Sequence, residues 1–232
     1  MDQVSVAVVG AGMAGRAHAN GYRQASTVYG LDLPRVRLAA IADRHEPFAA
    51  DAAARYGYER CETDWRRIAE ADDIDAVSIV VGNDLHLEIA RALVAAGKHV
   101  LCEKPLAGTL ADAAAMAEIE RGATTVTAVG YCYRRAPGIA AIAELLRGGD
   151  LGSPVHFNGR YWCDYACDPS SPMAWRYRGG PGSGALGDVG SHLLDIAELV
   201  MGPLVSVSGG AFQTLIAERP VPAGVTKGHA GA

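Results

Sequence analysis

The chain has 232 residues, 50% of them hydrophobic and 20% charged, enough to bury a real core in one large domain or two small ones. Its formal charge of -5, with Lys and Arg scattered, excludes a basic stripe for nucleic acid. No apolar run approaches the length of about 20 residues that a membrane-spanning helix needs.

Residues 4–9 form a short run rich in valine, the pattern of a parallel strand buried on both faces. The run breaks at Gly10, and Gly10-x-Gly12-x-x-Gly15 leads into a segment of helical composition, 15–24. Each glycine has a task in a dinucleotide site: Gly10 for the tight turn, Gly12 for approach of backbone to pyrophosphate, Gly15 for packing of helix on strand. Met13 and Ala14 lie at the start of the helix, whose free N–H groups and partial positive charge suit phosphate. The strand begins so close to Met1 that no signal peptide is expected, which predicts a cytoplasmic protein.

A loop is expected at 26–34, then a second strand at 36–42 ending in Asp43. An acidic residue there accepts hydrogen bonds from the adenosine ribose. The interval from Gly15 to Asp43 exceeds the usual spacing of about 20 residues, which the loop before Pro34 accounts for. Arg44 follows and could face a 2′-phosphate, so NAD is the expected cofactor and NADP the alternative. Asp43 could instead simply cap the next helix. That helix is expected at 46–56, closed by Gly57, followed by a short helix at 64–70 and a strand at 74–81. Then come a helix at 87–96 ended by Gly97, a strand at 99–102, a helix at 109–121 and a fifth strand at 124–129. Alternation of this kind gives a doubly wound parallel sheet, an α/β domain spanning 1–130.

The pattern changes after Gly130. A helix at 138–147, a strand at 155–162, a glycine- and proline-rich loop to Gly187, a helix at 189–201 and a strand at 204–212 suggest a second, α+β domain over 131–232. Residues 220–232 carry no helix or strand pattern. The five cysteines include no CxxC pair; Cys163 and Cys167 lie near His156, Asp164 and Asp168 but lack zinc spacing, so no metal is expected.

Two stretches carry chemistry. Cys102-Glu103-Lys104-Pro105 sits at the carboxyl end of an expected parallel strand, where ligands of open α/β sheets bind. Proline restricts the residue before it, so Lys104 is held more firmly than a surface lysine. In Gly187-Asp188-Val189-Gly190-Ser191-His192, Asp188 and His192 are one turn apart at an expected helix start, with Asp188 a candidate N-cap. A histidine oriented by a carboxylate can carry a proton near neutral pH.

Glycine loop, Glu103-Lys104-Pro105 and Asp188…His192, in this order, resemble the Gfo/Idh/MocA family of NAD(P)-dependent oxidoreductases. Asn83-x-x-His86, Ala95-Ala96-Gly97-Lys98-His99, Tyr133-Arg134-Arg135-Ala136-Pro137, Gly152-Ser153-Pro154 and Trp175-Arg176 add to the likeness, which runs from Val4 to about Phe212. The resemblance implies a Rossmann domain followed by an α+β domain with an open, mostly antiparallel sheet that often serves as the oligomer face. It also implies hydride transfer between NAD(P) and a hydroxyl-bearing carbon of a sugar, cyclitol or related polyol. Lys104 would hydrogen-bond the reacting hydroxyl, His192 would act as acid or base, and Asp188 would steer substrate or histidine. Asn83, His86 and Glu103 would join the cofactor contacts, and Tyr161, Trp175 and Arg176 the substrate contacts. Family members are longer, so the second sheet is expected to be incomplete and a homo-oligomer depends on it. The alternative is a non-catalytic nucleotide sensor on the same fold.

Overall fold

A computed structural model describes residues 2–28, 33–180 and 182–223. The chain divides into two compact units, Met1–Gly130 and Tyr131–Ala232.

In the first unit, β1 (Gln3–Val9) leads through the glycine turn into α1 (Met13–Val28) and β2 (Arg35–Ala42). Then follow α2 (Glu46–Tyr56), β3 (Arg60–Glu62), α3 (Arg66–Glu70), β4 (Ala76–Ile79) and α4 (His86–Ala95). The unit ends with β5 (His99–Cys102), α5 (Leu110–Arg121) and β6 (Thr127–Val129). All six strands are parallel in the order β3-β2-β1-β4-β5-β6. This is the doubly wound order in which the chain reverses direction between β1 and β4, opening a crevice at the strands' carboxyl ends.

Alternation along the central strands fills both faces. Ala7, Val9, Ile79 and Val77 face a cluster with Ile68 of α3, Ile89 and Leu93 of α4 and Met116 of α5. Val8 and Ile41 face Ala19 of α1 and Phe48 and Ala52 of α2. A sheet buried on both faces reads as near-continuous apolar sequence, which is why β1 was legible.

Several boundaries differ from expectation. The first helix runs on through Val28 because Thr27 Oγ1 donates to the Gln24 carbonyl (3.0 Å) and Gln24 Nε2 to Asn20 Oδ1 (3.1 Å), satisfying polar groups within the helix. Of the loop expected at 26–34, residues 29–32 lie outside the described residues. β3 was not expected at all: three residues, two of them charged, carry no periodic signal, yet they pair with Ala40–Ala42 of β2. Thr109, expected as the first helical residue, is instead the cap of α5, accepting from the Asp112 N–H at 3.1 Å.

The second unit contains a 3-10 turn (Cys132–Arg135), α6 (Pro137–Gly148), a 3-10 turn (Trp175–Tyr177), a π-helical turn (Leu186–Gly190) and α7 (Ser191–Met201). Arg134 grips Asp195 of α7 through Nε and Nη2 at 2.7–2.9 Å, a two-pronged pair that fixes the first turn against α7. The strands expected at 155–162 and 204–212 are not formed: neither segment has a ladder partner among the described residues. The mostly antiparallel sheet expected here is therefore absent from the described residues. Their β-branched and aromatic composition expresses fitness for a pleated, half-buried surface, whereas Val155, Val205 and Phe212 are exposed. Arg219 instead straps the end of this region, donating to the carbonyls of Ala166, Asp168 and Ser171. The tail beyond residue 223 lies outside the described residues. Among the described residues no helix is long and apolar enough to cross a membrane.

Two tests follow from the first unit. Leu93→Ala removes a fully buried side chain between α4 and the sheet and should cost about 2–5 kcal/mol in urea denaturation. Asp73 accepts from Arg60 at 2.8 and 2.9 Å and from Arg37 at 2.9 Å. The Arg60 hydrogen bonds, opposed by partial burial and reinforced by Arg37, hold its carboxyl well below the ordinary value. A depressed folded value means that the stabilisation is complete above the usual carboxylate range and is lost as pH falls through and below it. Asp73→Asn should therefore lower the melting temperature at pH 7 and leave a shallower decline on acidification.

Candidate active site

The glycine loop is built by close backbone approach. Gly10 has φ +108°, and a Cβ there would overlap the Val80 carbonyl oxygen of the neighbouring loop. At Gly15 a Cβ would strike the Gly10 carbonyl, so only glycine lets α1 sit on the turn. Gly12 differs, because a Cβ there meets nothing within 4 Å and the backbone faces open space. Met13 and Ala14 begin α1, whose first turn carries no acidic residue to repel an anion. Asp43, at the end of β2, accepts from the Ala11 N–H and the His45 N–H, both at 2.8 Å. It thereby ties the glycine loop to the entrance of α2, and each carboxylate oxygen keeps a lone pair for a ribose hydroxyl. Arg44 beside it is exposed. Arg16, a residue the sequence reading passed over, braces the same loop from α1 by donating to the Ala11 carbonyl at 3.1 Å and pairing with Asp51. An open, anion-compatible helix start with a fixed carboxylate across from it fits a dinucleotide.

At the carboxyl ends of β4 and β5, the loops pack on each other. Gly108 lies where a Cβ would stand 3.5 Å from Asn83 Oδ1. His86 is 1% exposed, with Nδ1 3.1 Å from the Leu106 carbonyl and Nε2 3.3 Å from the Val81 carbonyl. Its ring is thus enclosed between two loops and fastens them. Glu103 leaves β5 with a largely buried carboxylate that meets His18 Nε2 at 3.1 Å and accepts the Lys104 N–H at 3.0 Å. Burial pushes this carboxyl up. The His18 hydrogen bond and charge, and then the Lys104 N–H and ammonium, outweigh burial and hold it below its ordinary value. The Lys104–Pro105 peptide is cis. The adjacent Cys102 thiol is buried and pushed up to about 12 by burial and by the Glu103 charge.

Within the second unit, Asp188 is not a helix cap. It sits inside the π-helical turn, which runs directly into α7 with helical backbone at Gly190 (φ -64°, ψ -34°). Wide turns of this kind occur mostly as single turns within helices, and frequently at functional sites. The buried Asp188 carboxylate accepts from the Tyr165 hydroxyl at 2.5 Å and from Arg176 Nε at 3.1 Å. Burial, then the hydrogen bond and charge of Asp188, raise the Tyr165 phenol well above its ordinary value, keeping it a donor. The Arg176 guanidinium lies 5.1 Å from the Trp175 ring and 5.7 Å from the Tyr165 ring. Its Nη1 is buried without a hydrogen-bond partner among the described residues. His192, in the first turn of α7, is buried and edge-on to Tyr133, with ring centroids 4.7 Å apart, and to Tyr131, at 5.8 Å. Tyr133 and Tyr161 share a 2.8 Å hydrogen bond, and that bond, followed by burial, pushes the Tyr161 phenol up to about 12. The structure thus brings Asp188 together with Arg176, and His192 with a tyrosine pair that includes the expected Tyr161. Tyr165 and Tyr133 were missed as partners because nothing in their spacing links them to α7.

The sequence profile described as "Oxidoreductase family, NAD-binding Rossmann fold" matches residues 4–131, and that of the GFO/IDH/MocA C-terminal domain matches residues 139–226. Levoglucosan dehydrogenase of Pseudarthrobacter phenanthrenivorans is 37% identical over 97% of this chain and 57% of its own length. Inositol 2-dehydrogenase of Salmonella paratyphi B is 30% identical over 67% of this chain and 45% of its own. A levoglucosan dehydrogenase structure in complex with NADH and levoglucosan superposes with TM-score 0.90 at 37% identity, covering 96% of this chain and 60% of that one. The chain thus spans about half to three-fifths of the length of these relatives. With both profiles matched in order and the glycine loop, β5 corner and π-helical turn formed as described, the chain belongs to the Gfo/Idh/MocA oxidoreductase family, and its first unit is that family's NAD-binding Rossmann fold.

Proposed function

We propose that the chain serves an NAD-dependent dehydrogenase reaction at a CH–OH carbon of a sugar, cyclitol or related polyol. The observation that carries this reading is Lys104 at the carboxyl end of β5, its backbone fixed by Glu103, in the same unit as an open glycine loop that fits a dinucleotide. Bound NAD supplies a two-electron hydride acceptor. Lys104 donates a hydrogen bond to the reacting hydroxyl and holds its oxygen. His192 accepts the hydroxyl proton as the carbonyl forms, and returns one in the reverse direction. Asp188, held by Tyr165 and Arg176, orients substrate hydroxyls or the imidazole. Asp43 accepts from the adenosine ribose hydroxyls, which favours NAD over its 2′-phosphorylated form. Tyr161, Trp175 and Arg176 contribute to substrate contacts, and Asn83 to the cofactor side. Relatives named for levoglucosan, inositol and D-apiose set the chemical range of the substrate: compact, neutral, rich in hydroxyls. Free thiols at all five cysteines suit the reducing cytoplasm, and a homo-oligomer is the form in which we expect the protein to act.

A screen of polyols and anhydrosugars with NAD, followed at the absorbance of NADH, tests the activity. Turnover with levoglucosan or an inositol supports the reading, and NADH binding without turnover on any member overturns it. Where turnover is found, Lys104→Ala and His192→Ala should each lower kcat by about 10²- to 10⁴-fold while leaving NADH affinity nearly unchanged. Asp43→Ala should weaken NADH binding by about 1.5–3 kcal/mol in a fluorescence titration and weaken NADPH binding less.

A further inference from the structure

Polar side chains are out of place in the middle of a parallel sheet, yet β4 reads Ala76-Val77-Ser78-Ile79 with Ser78 fully buried. Its hydroxyl is a junction. It lies 3.0 Å from Nδ1 of His18 and 2.8 Å from the hydroxyl of Tyr22, both on α1. The other ring nitrogen of His18 meets Glu103. An ionised carboxylate only accepts, so His18 Nε2–H donates to Glu103. Nδ1 meets the Ser78 hydroxyl, which in turn meets the Tyr22 hydroxyl, giving a continuous hydrogen-bonded chain from Tyr22 through Ser78 and His18 to Glu103. Burial raises the Tyr22 phenol, against the opposing Ser78 hydrogen bond, and keeps it a hydroxyl.

The far end of this chain is the Lys104 corner. One Glu103 oxygen takes the His18 contact and the other takes the Lys104 N–H. Gly130, just past β6, closes the remaining side: a Cβ there would stand 2.7 Å from Glu103 Oε1. The near end is α1, the helix whose first residues would meet the phosphates of a bound dinucleotide.

We propose that His18 is a positioning residue for Lys104: braced by Ser78 and Tyr22, it aims the Glu103 carboxylate that sets the Lys104 backbone, and so links the phosphate-binding helix to the reactive lysine. The proposal rests on the reading of Lys104 as the residue that holds the reacting hydroxyl. The sequence contains only three lysines, Lys98, Lys104 and Lys227, so [15N]lysine labelling gives three backbone amide peaks, one of which reports the Glu103 hydrogen bond directly.

His18→Leu should move the Lys104 peak while leaving Lys98, which is held by the Ala71 and Ile74 carbonyls, in place. It should also lower kcat about 100-fold, as expected for misplacement of a reacting group, with little change in the KM for NAD. His18→Gln places an amide N–H where Nε2 stood and should restore both the peak position and most of kcat. His18→Asn places its amide at the Nδ1 position and should restore neither. A Lys104 peak unmoved by His18→Leu, or equal rescue by Asn and Gln, overturns the proposal. If His18→Leu does not fold, the Gln and Asn variants carry the same comparison. A wild-type chain without turnover would overturn the dehydrogenase reading, while the amide peaks still decide the role of His18.

Discussion

Everything at the cofactor end of the first unit depends on how closely α1 approaches the strand that precedes it. Two positions without a Cβ, Gly10 and Gly15, let the turn fold under the Val80 carbonyl and let the helix rest on the turn. With a side chain at either, α1 would be lifted off β1, and three things would be lost together. These are the seating of Ala19 against Val8 and Ile41, the reach of His18 to β4 and β5, and the aim of the helix start toward phosphate. Packing, hydrogen bonding and binding are thus satisfied by a single steric concession.

The two units make different use of buried charge. In the first, Glu103 is countered by a histidine and a backbone N–H at the mouth of a parallel sheet, and the charge serves to hold a neighbouring residue. In the second, Asp188 is enclosed by a phenol and a guanidinium in a stretch of chain with little regular structure. Removing one partner of such a buried pair leaves an uncompensated charge, which costs far more than the pair contributes in net stability. These contacts therefore give precision of placement more than stability.

How much of this was legible in the sequence depended on what each residue packs against. β1, β2, β5 and helices with end signals, such as 46–56 with Gly57, were found to within a residue because burial writes itself into composition. β4, expected at 74–81, is the shorter Ala76–Ile79. β3 was invisible, since three residues paired on one side alone need no apolar pattern. The segments at 155–162 and 204–212 misled for the converse reason: they have strand composition, but a strand exists only when another segment completes its ladder. At the site, Lys104, Asp188 and His192 stood out by motif, whereas their supports were hidden by distance along the chain. Ser78 was the one clue available, a hydroxyl set in an otherwise apolar strand, and it is the junction that joins α1 to the end of β5. His86 stood out by motif as well, and its ring fastens the loops that follow β4 and β5.

Cys102 marks where thiol chemistry stops. It is the last residue of β5, and burial together with the neighbouring carboxylate keeps it protonated at any physiological pH. Cys61, Cys132 and Cys167 are exposed. An alkylating or oxidising reagent therefore meets these three thiols long before it meets Cys102 at the end of β5. Thiol reagents can therefore decorate the exposed cysteines as spectroscopic handles while the buried Cys102 thiol stays untouched.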